Sequence, residues 1–412
     1  MKSKILYPKP RLYETLLFII LVTGPPQLRS RDPYASLSGE VDWSVMLNAV
    51  IWGMAGLWVF HRVNTYLLNR RSFPRPLFTQ WIALFFSFCL LLSTVVSLAP
   101  LLTAYRSLQV LVMMLFGFLW IRKYGIESMY KHLFNAYVVL CVAIALAALF
   151  AGDLVFAPYG SNLRLRGDLI GNTGAISAMG IIVGMSYPVV RNRYALWFFL
   201  LLFFSLLIMS MTRSAYAAIF FFLLFAIVKL PKSKPLRRFL LILFFIIIPT
   251  ALAFQWMQSI FSWIIRESES ITTLSDRIPL WEYTIATILE RSPWLGVGFY
   301  ANRAITLTFN PGLGTSHGAF VEVLSGAGIV GFAAFTIMLI PLIYIAIKLF
   351  LEYGNRPETF TAVSLLICVL SIGLVSEEMV IASPTGFTFW MLVSIIPVIE
   401  RNIKIRLKSI PS

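Results

Sequence analysis

Apolar residues in this chain gather into long runs separated by short polar intervals, and each run approaches the length of about twenty residues that crosses a bilayer. Twelve such runs are read, at approximately 12–26, 41–60, 77–98, 101–121, 133–151, 170–190, 194–211, 213–230, 239–257, 323–347, 359–375 and 386–399. The pattern predicts an all-α polytopic membrane protein of about twelve spans, built as one membrane domain over residues 1–412. The longest polar interval, 258–320, becomes a large external loop between the ninth and tenth spans. Within it Ile278, Trp281, Ile285 and Ile288 recur at helical spacing, which predicts a helix from about Asp276 to Arg291. Pro293 ends that helix, and Gly296 and Gly298 mark a turn. The segment 152–172 carries Gly and Asn punctuation and reads as an ordered turn.

Composition agrees with this pattern: 59% of residues are hydrophobic and 13% charged, against roughly a quarter charged in a soluble domain. The net charge of +16 would suit nucleic acid, but its distribution points elsewhere. Lys2, Lys4, Lys9 and Arg11 precede the first run; Arg62 to Arg75 follow the second; Arg122, Lys123 and Lys131 follow the fourth. Every second interval is basic through to Arg401–Lys408, as expected when both termini are cytoplasmic and the number of spans is even. No nucleic-acid partner is needed to explain the charge. The first run lacks a small-residue cleavage site and reads as a retained span rather than a signal peptide. Cys89, Cys141 and Cys368 lie inside apolar runs, which suits packing rather than a disulfide or zinc framework.

Every lysine falls on the cytoplasmic side of this topology. The basic residues left in or outside the membrane are all arginine: Arg29, Arg31, Arg106, Arg164, Arg166, Arg213, Arg266, Arg277, Arg291 and Arg303. Compositional bias is the simpler account of this asymmetry. The functional account is that planar guanidinium groups, which grip phosphate through two parallel hydrogen bonds, are kept where a phosphorylated substrate docks. Arg29, Arg31 and Arg266 suit snorkelling to head groups; Arg164, Arg166, Arg213 and Arg277 stand beside Gly, Ser, Thr or Asp and suit an anion cradle. Arg291 suits the C-terminal dipole of the loop helix. Arg106 falls within a span, where a charge is costly unless it meets a polar cavity or the interface.

His317 is the one histidine placed outside the cytoplasm, at the close of the polar loop, where imidazole can take a proton from a hydroxyl near neutral pH. His61 and His132 read as ordinary residues of basic cytoplasmic loops. Acidic support is sparse: Asp276 beside Arg277, Glu322 five residues after His317, and Glu377 and Glu378 in an outer loop. No metal-binding, Walker or nucleophile-elbow pattern occurs, so neither metal nor cofactor is expected.

With these residues laid out, the chain resembles the O-antigen ligase and polymerase superfamily of bacterial membrane glycan transferases. The resemblance rests on Arg277, Trp281, ERSPWLGVGF with Pro293, Gly296 and Gly298, then His317, then GAGIVGF with Gly326, Gly328 and Gly331. LRLRGDLIGN around Arg166 and SMTRSAY around Arg213 are similar to two further signatures of that family. Members commonly place Asn after the histidine, where this chain has Gly318. The resemblance implies a GT-C-like helical fold in the bacterial inner membrane, with the site facing the periplasm. It implies a metal-independent, inverting transfer of a glycan from an undecaprenyl diphosphate carrier to a sugar hydroxyl. His317 would be catalytic; Arg164, Arg166, Arg213 and Arg277 would bind the diphosphate; Asp276, Trp281, Arg291 and Glu322 would support them. A polymerase of O-antigen or exopolysaccharide, with a lipid-linked glycan as acceptor, is preferred here. A ligase acting on lipid A core is the alternative, and a transporter of lipid-linked sugar a weaker one.

Overall fold

The computed structural model describes residues 7–24, 42–68, 76–159, 162–165, 172–229, 277–310 and 315–408, together with positions 37 and 40. Helices dominate: α1 (Leu12–Thr23), α2 (Trp43–Leu68), α3 (Phe78–Leu92), α4 (Pro100–Phe150), α5 (Thr173–Ser186), α6 (Arg193–Ser210) and α7 (Arg213–Lys229) precede the large loop. They are followed by α8 (Arg277–Arg291), α9 (Arg303–Phe309), α10 (Ala319–Tyr353), α11 (Pro357–Gly373) and α12 (Pro384–Lys408). The segment expected to be an ordered turn contains an antiparallel hairpin, β1 (Phe156–Tyr159) with β2 (Asn162–Leu165), in which Ala157 pairs with Arg164.

Six described helices, α2, α3 extended to Val96, α4, α6, α10 and α12, are long and apolar enough to cross a membrane. α1, α5 and α11 are apolar but shorter. The expected spans 101–121 and 133–151 fall in α4, whose 51 residues are broken at Gly125, at φ 79°. Trp120 and His132 have ring centroids 5.1 Å apart, whereas twelve residues of straight helix would separate them by roughly 18 Å. The chain therefore turns back at the break, and the two runs form separate legs. The expected span 239–257 lies outside the described residues. His61 and His132 sit within α2 and α4 rather than in loops. His132 Nδ1 donates to the Ser128 carbonyl at 2.6 Å and its Nε2 accepts from the Thr15 hydroxyl at 3.1 Å, an ordinary packing role.

A large apolar core joins α1 to α7 with α10, α11 and α12, centred on buried aromatics such as Phe86, Phe116, Trp120, Phe335 and Trp390. All three cysteines are buried within it. Outside the core, large apolar side chains such as Leu57, Phe88, Leu101, Leu149, Phe198 and Ile340 stay exposed. An apolar surface this extensive requires a lipid environment.

The two ends of the bundle differ in chemistry. At one end Glu14, fully enclosed, accepts hydrogen bonds from Trp58 Nε1 (3.1 Å), Arg62 Nη2 (2.7 Å), Lys123 Nζ (3.0 Å), the Arg11 amide (3.0 Å) and the Tyr124 hydroxyl. Basic residues from three separate intervals thus converge, as their alternation along the chain requires. The opposite end holds the polar loop.

Candidate functional site

The polar loop is fixed by a backbone junction that both glycine motifs serve. α10 breaks at Gly328, with φ 64° and ψ −166°, which frees backbone groups on either side of the break. The turn after α8 supplies their partners: Ile329 N donates to Pro293 O (2.9 Å) and Val330 N to Trp294 O (3.2 Å). In return Val297 N donates to Ser325 O (2.9 Å) and Gly298 N to Gly326 O (3.1 Å). A broken helix in an apolar setting is tolerable because its orphaned groups are satisfied in this way. Gly296, at φ 69°, and Gly328 face each other here; a Cβ on either would overlap the other strand's backbone. The far side of the turn is tied to the start of α4, where Leu98 N donates to Val297 O (3.0 Å) and the Thr103 hydroxyl to Phe299 O (3.1 Å).

On this base the chain presents His317. Its backbone lies at φ 51°, a left-handed conformation uncommon for a residue with a side chain and held only where the surroundings impose it. Those surroundings are explicit. Trp281 on α8 donates its Nε1 to Ser316 O at 2.7 Å, while the Ser316 hydroxyl donates to Glu322 Oε2 at 2.9 Å. Asn302 Nδ2 donates to the same oxygen at 2.8 Å and also contacts Ser325 Oγ at 2.7 Å. Glu322 is buried in the first turn of α10, where the helix dipole favours a carboxylate. Its Oε2 fastens the loop through Ser316 and Asn302, while its buried Oε1 has no hydrogen-bond partner among the described residues. The Trp281 ring also explains Gly318: a Cβ there would come within 3.1 Å of the ring. The small residue lets the indole close over the histidine's backbone, which a larger side chain would hinder.

The half-buried imidazole takes no hydrogen bond from the described residues. Burial pushes its pKa below the usual imidazole value; the negative Glu377 opposes that shift, and the positive Arg277 and Arg303 add to it. The ring is therefore neutral near pH 7 and able to accept a proton. Glu377, in the turn after α11, is itself largely buried, and its Oε2 has no hydrogen-bond partner among the described residues.

The remaining arginines gather elsewhere on the same end. Arg164 in β2 donates Nε to Ser210 O at 2.8 Å, which brings the hairpin onto the turn joining α6 to α7. Met211, at φ 48°, makes that turn tight enough for Arg213 to open α7 immediately. Lys229 at the other end of α7 donates to Leu351 O (3.1 Å), and Phe222 packs on Phe360 at the start of α11. α7 therefore runs antiparallel to α11, so Arg213 shares the end of the bundle where α11 delivers Glu377. Arg291 is exposed in the last turn of α8, suited to the helix dipole and not joined to the His317 group. Arg166 and Asp276 lie outside the described residues. Below the turn, a cavity of about 530 Å³ between α3 and α10 is lined by apolar residues including Trp81, Phe85, Trp294, Ile329 and Ile337.

The sequence carried no sign of Asn302 and Ser316 as members of the site, offered Glu377 only as an acidic residue of an outer loop, and left Arg303 without a role. Glu377 stands sixty residues beyond His317, and only the fold joins them. Among the described residues no cluster of three or more His, Cys, Asp or Glu side chains is gathered.

Residues 197–336 match the family model described as O-Antigen ligase, and this match supports the O-antigen ligase and polymerase superfamily for the chain. The matched stretch runs from α6 into α10 and includes Arg213, Arg277, Trp281, His317 and Glu322. No curated protein matches the chain.

Proposed function

We propose that this chain, as a member of the O-antigen ligase and polymerase superfamily, transfers a glycan from an undecaprenyl diphosphate carrier to a sugar hydroxyl at the outer face of the bacterial inner membrane. One observation carries the reading: His317, held at φ 51° by Trp281 and Glu322 and without a hydrogen bond from the described residues, feels the charges of Glu377, Arg277 and Arg303 at the arginine-bearing end of an apolar bundle. The acceptor hydroxyl oxygen attacks the anomeric carbon, forming the new C–O bond while its proton passes to the imidazole of His317. The anomeric bond to the diphosphate breaks, and the lipid diphosphate leaves with the electron pair. A single displacement of this kind inverts the anomeric configuration.

In this proposal Arg164, Arg166, Arg213 and Arg277 hold the diphosphate and stabilise the charge that grows on it as it departs. Diphosphate is already a good leaving group, so the scheme draws on neither a nucleotide nor a metal. The apolar cavity beneath Trp294 offers a path along which a carrier's tail can lie with its diphosphate at the loop. About twelve crossings with both termini cytoplasmic, and the interval 258–320 as the external loop, complete the topology. Polymerisation of lipid-linked repeats is preferred to ligation onto lipid A core because Gly318 departs from the family's usual residue.

The test is reconstitution of the full-length protein in vesicles with a defined undecaprenyl diphosphate oligosaccharide and EDTA. New glycosidic bonds, with longer lipid-linked products, are expected. Movement of the lipid-linked sugar across the vesicle without bond formation would establish a transporter instead, and strict dependence on a divalent ion would overturn the mechanism.

A further inference from the structure

Tyr300 lies between the turn and α9 with its backbone at φ 71°, a third left-handed non-glycine residue at this end of the molecule, after His317 and Met211. Its ring gathers two cations: the Arg303 guanidinium carbon stands 3.9 Å from the ring centroid and that of Arg106 4.5 Å. Cation–π contacts at these distances are favourable singly, but placing two like charges on one ring costs repulsion that an anion would relieve. Among the described residues neither arginine forms an ion pair. Arg106 Nη1 is held by Gln109 Oε1 at 3.0 Å, while its Nε is buried without a hydrogen-bond partner. The neighbouring Tyr105 hydroxyl is likewise buried and unpartnered. Arginines that merely snorkelled to head groups would keep their donors in water; here unfilled donors are enclosed.

We propose that Arg106 and Arg303, gathered on Tyr300, form a second phosphate-binding station, separate from the Arg164 and Arg213 turn, that holds an anionic group of the acceptor. The assignment to the acceptor follows from place: Arg303 directly follows Asn302, which shares Glu322 Oε2 with Ser316, the residue before His317, and in the proposed transfer His317 receives the acceptor's proton. The station rests on the glycan-transfer reading for its occupant but not for its existence. A lipid-linked diphosphate and a phosphate monoester on a core saccharide share the chemistry that would fill it.

Inorganic pyrophosphate is the probe that separates the two claims. Titrated into the purified full-length protein, it is expected to saturate in two steps. Arg106→Gln with Arg303→Gln should abolish one step, and Arg213→Gln the other, with Arg106→Lys and Arg303→Lys retaining part of the first. Thermal unfolding confirms that each variant is folded before it is scored. Two unchanged steps in the folded Gln double variant, or a single step in the wild type, would overturn the station even if glycan transfer is intact. Two steps without transfer of any glycan would leave the station standing and sink the proposed activity. In the kinetic arm, Arg303→Gln should raise the KM for a phosphorylated acceptor by roughly 10- to 100-fold and leave the KM for the donor unchanged. Comparing a lipid diphosphate acceptor with a phosphorylated lipid A core saccharide shows which source the station takes; an equal rise with a phosphate-free acceptor would overturn the assignment.

Discussion

At the scale of residues, His317 is set by opposing charges. A base must be deprotonated to act, so the rate falls as pH drops through its pKa, and the depressed pKa places that limb below the pH of an ordinary histidine. Glu377→Gln removes the one group that raises the pKa, and the acid limb of kcat/KM should move to lower pH. Arg303→Gln removes a depressing charge, and the limb should move to higher pH. Profiles that shift in the opposite directions, or that stay fixed in both variants, would show that these charges do not act on the catalytic proton. His317 and the arginines were legible in the sequence because few polar residues interrupt so apolar a chain. Glu377 was legible only as an acidic residue of an outer loop, since its approach to His317 depends on α11 packing beside α10. Glu322 was legible as a candidate, but its part in holding Ser316 and Asn302 emerged only from the fold.

At the scale of elements, the interlock between the 292–299 turn and the break in α10 decides whether His317 is presented at all. Gly296→Ala meets both a left-handed backbone and a carbonyl in the way, and should destabilise the protein by about 1–3 kcal/mol or more. Detergent thermal unfolding measures that loss, and activity should fall further than stability because the loop register is lost. A variant with wild-type unfolding and activity would show that the junction is dispensable. The two glycine motifs were plain in the sequence as turn punctuation, but their mutual fit was not, because a turn signal does not say which backbone it will meet. α8 was legible from its period, from about residue 276 to 291 against the observed Arg277–Arg291. The legs of α4 were legible as two runs because Arg122 and Lys123 interrupt the apolar stretch just before the break at Gly125.

At the scale of the whole molecule, the end holding the Glu14 cluster and the end holding His317 are kept apart by an apolar-surfaced bundle. The Glu14 cluster organises the first: removing the carboxylate leaves Arg62 and Lys123 facing each other, partly exposed at 17% and 24%. Glu14→Ala should therefore cost about 3 kcal/mol, the low end for breaking a buried pair. Thermal unfolding should show that loss, while the KM values of the folded fraction stay unchanged. Altered substrate KM in that fraction would mean the two ends are coupled. Such a cluster was invisible in the sequence, where Glu14 is one acidic residue among apolar neighbours. The proposed transfer depends most on His317. With purified full-length protein, EDTA and a defined undecaprenyl diphosphate oligosaccharide, His317→Ala should slow glycan transfer by about 10²- to 10⁴-fold while the protein remains folded. Wild-type rates of product formation in that variant would contradict the account.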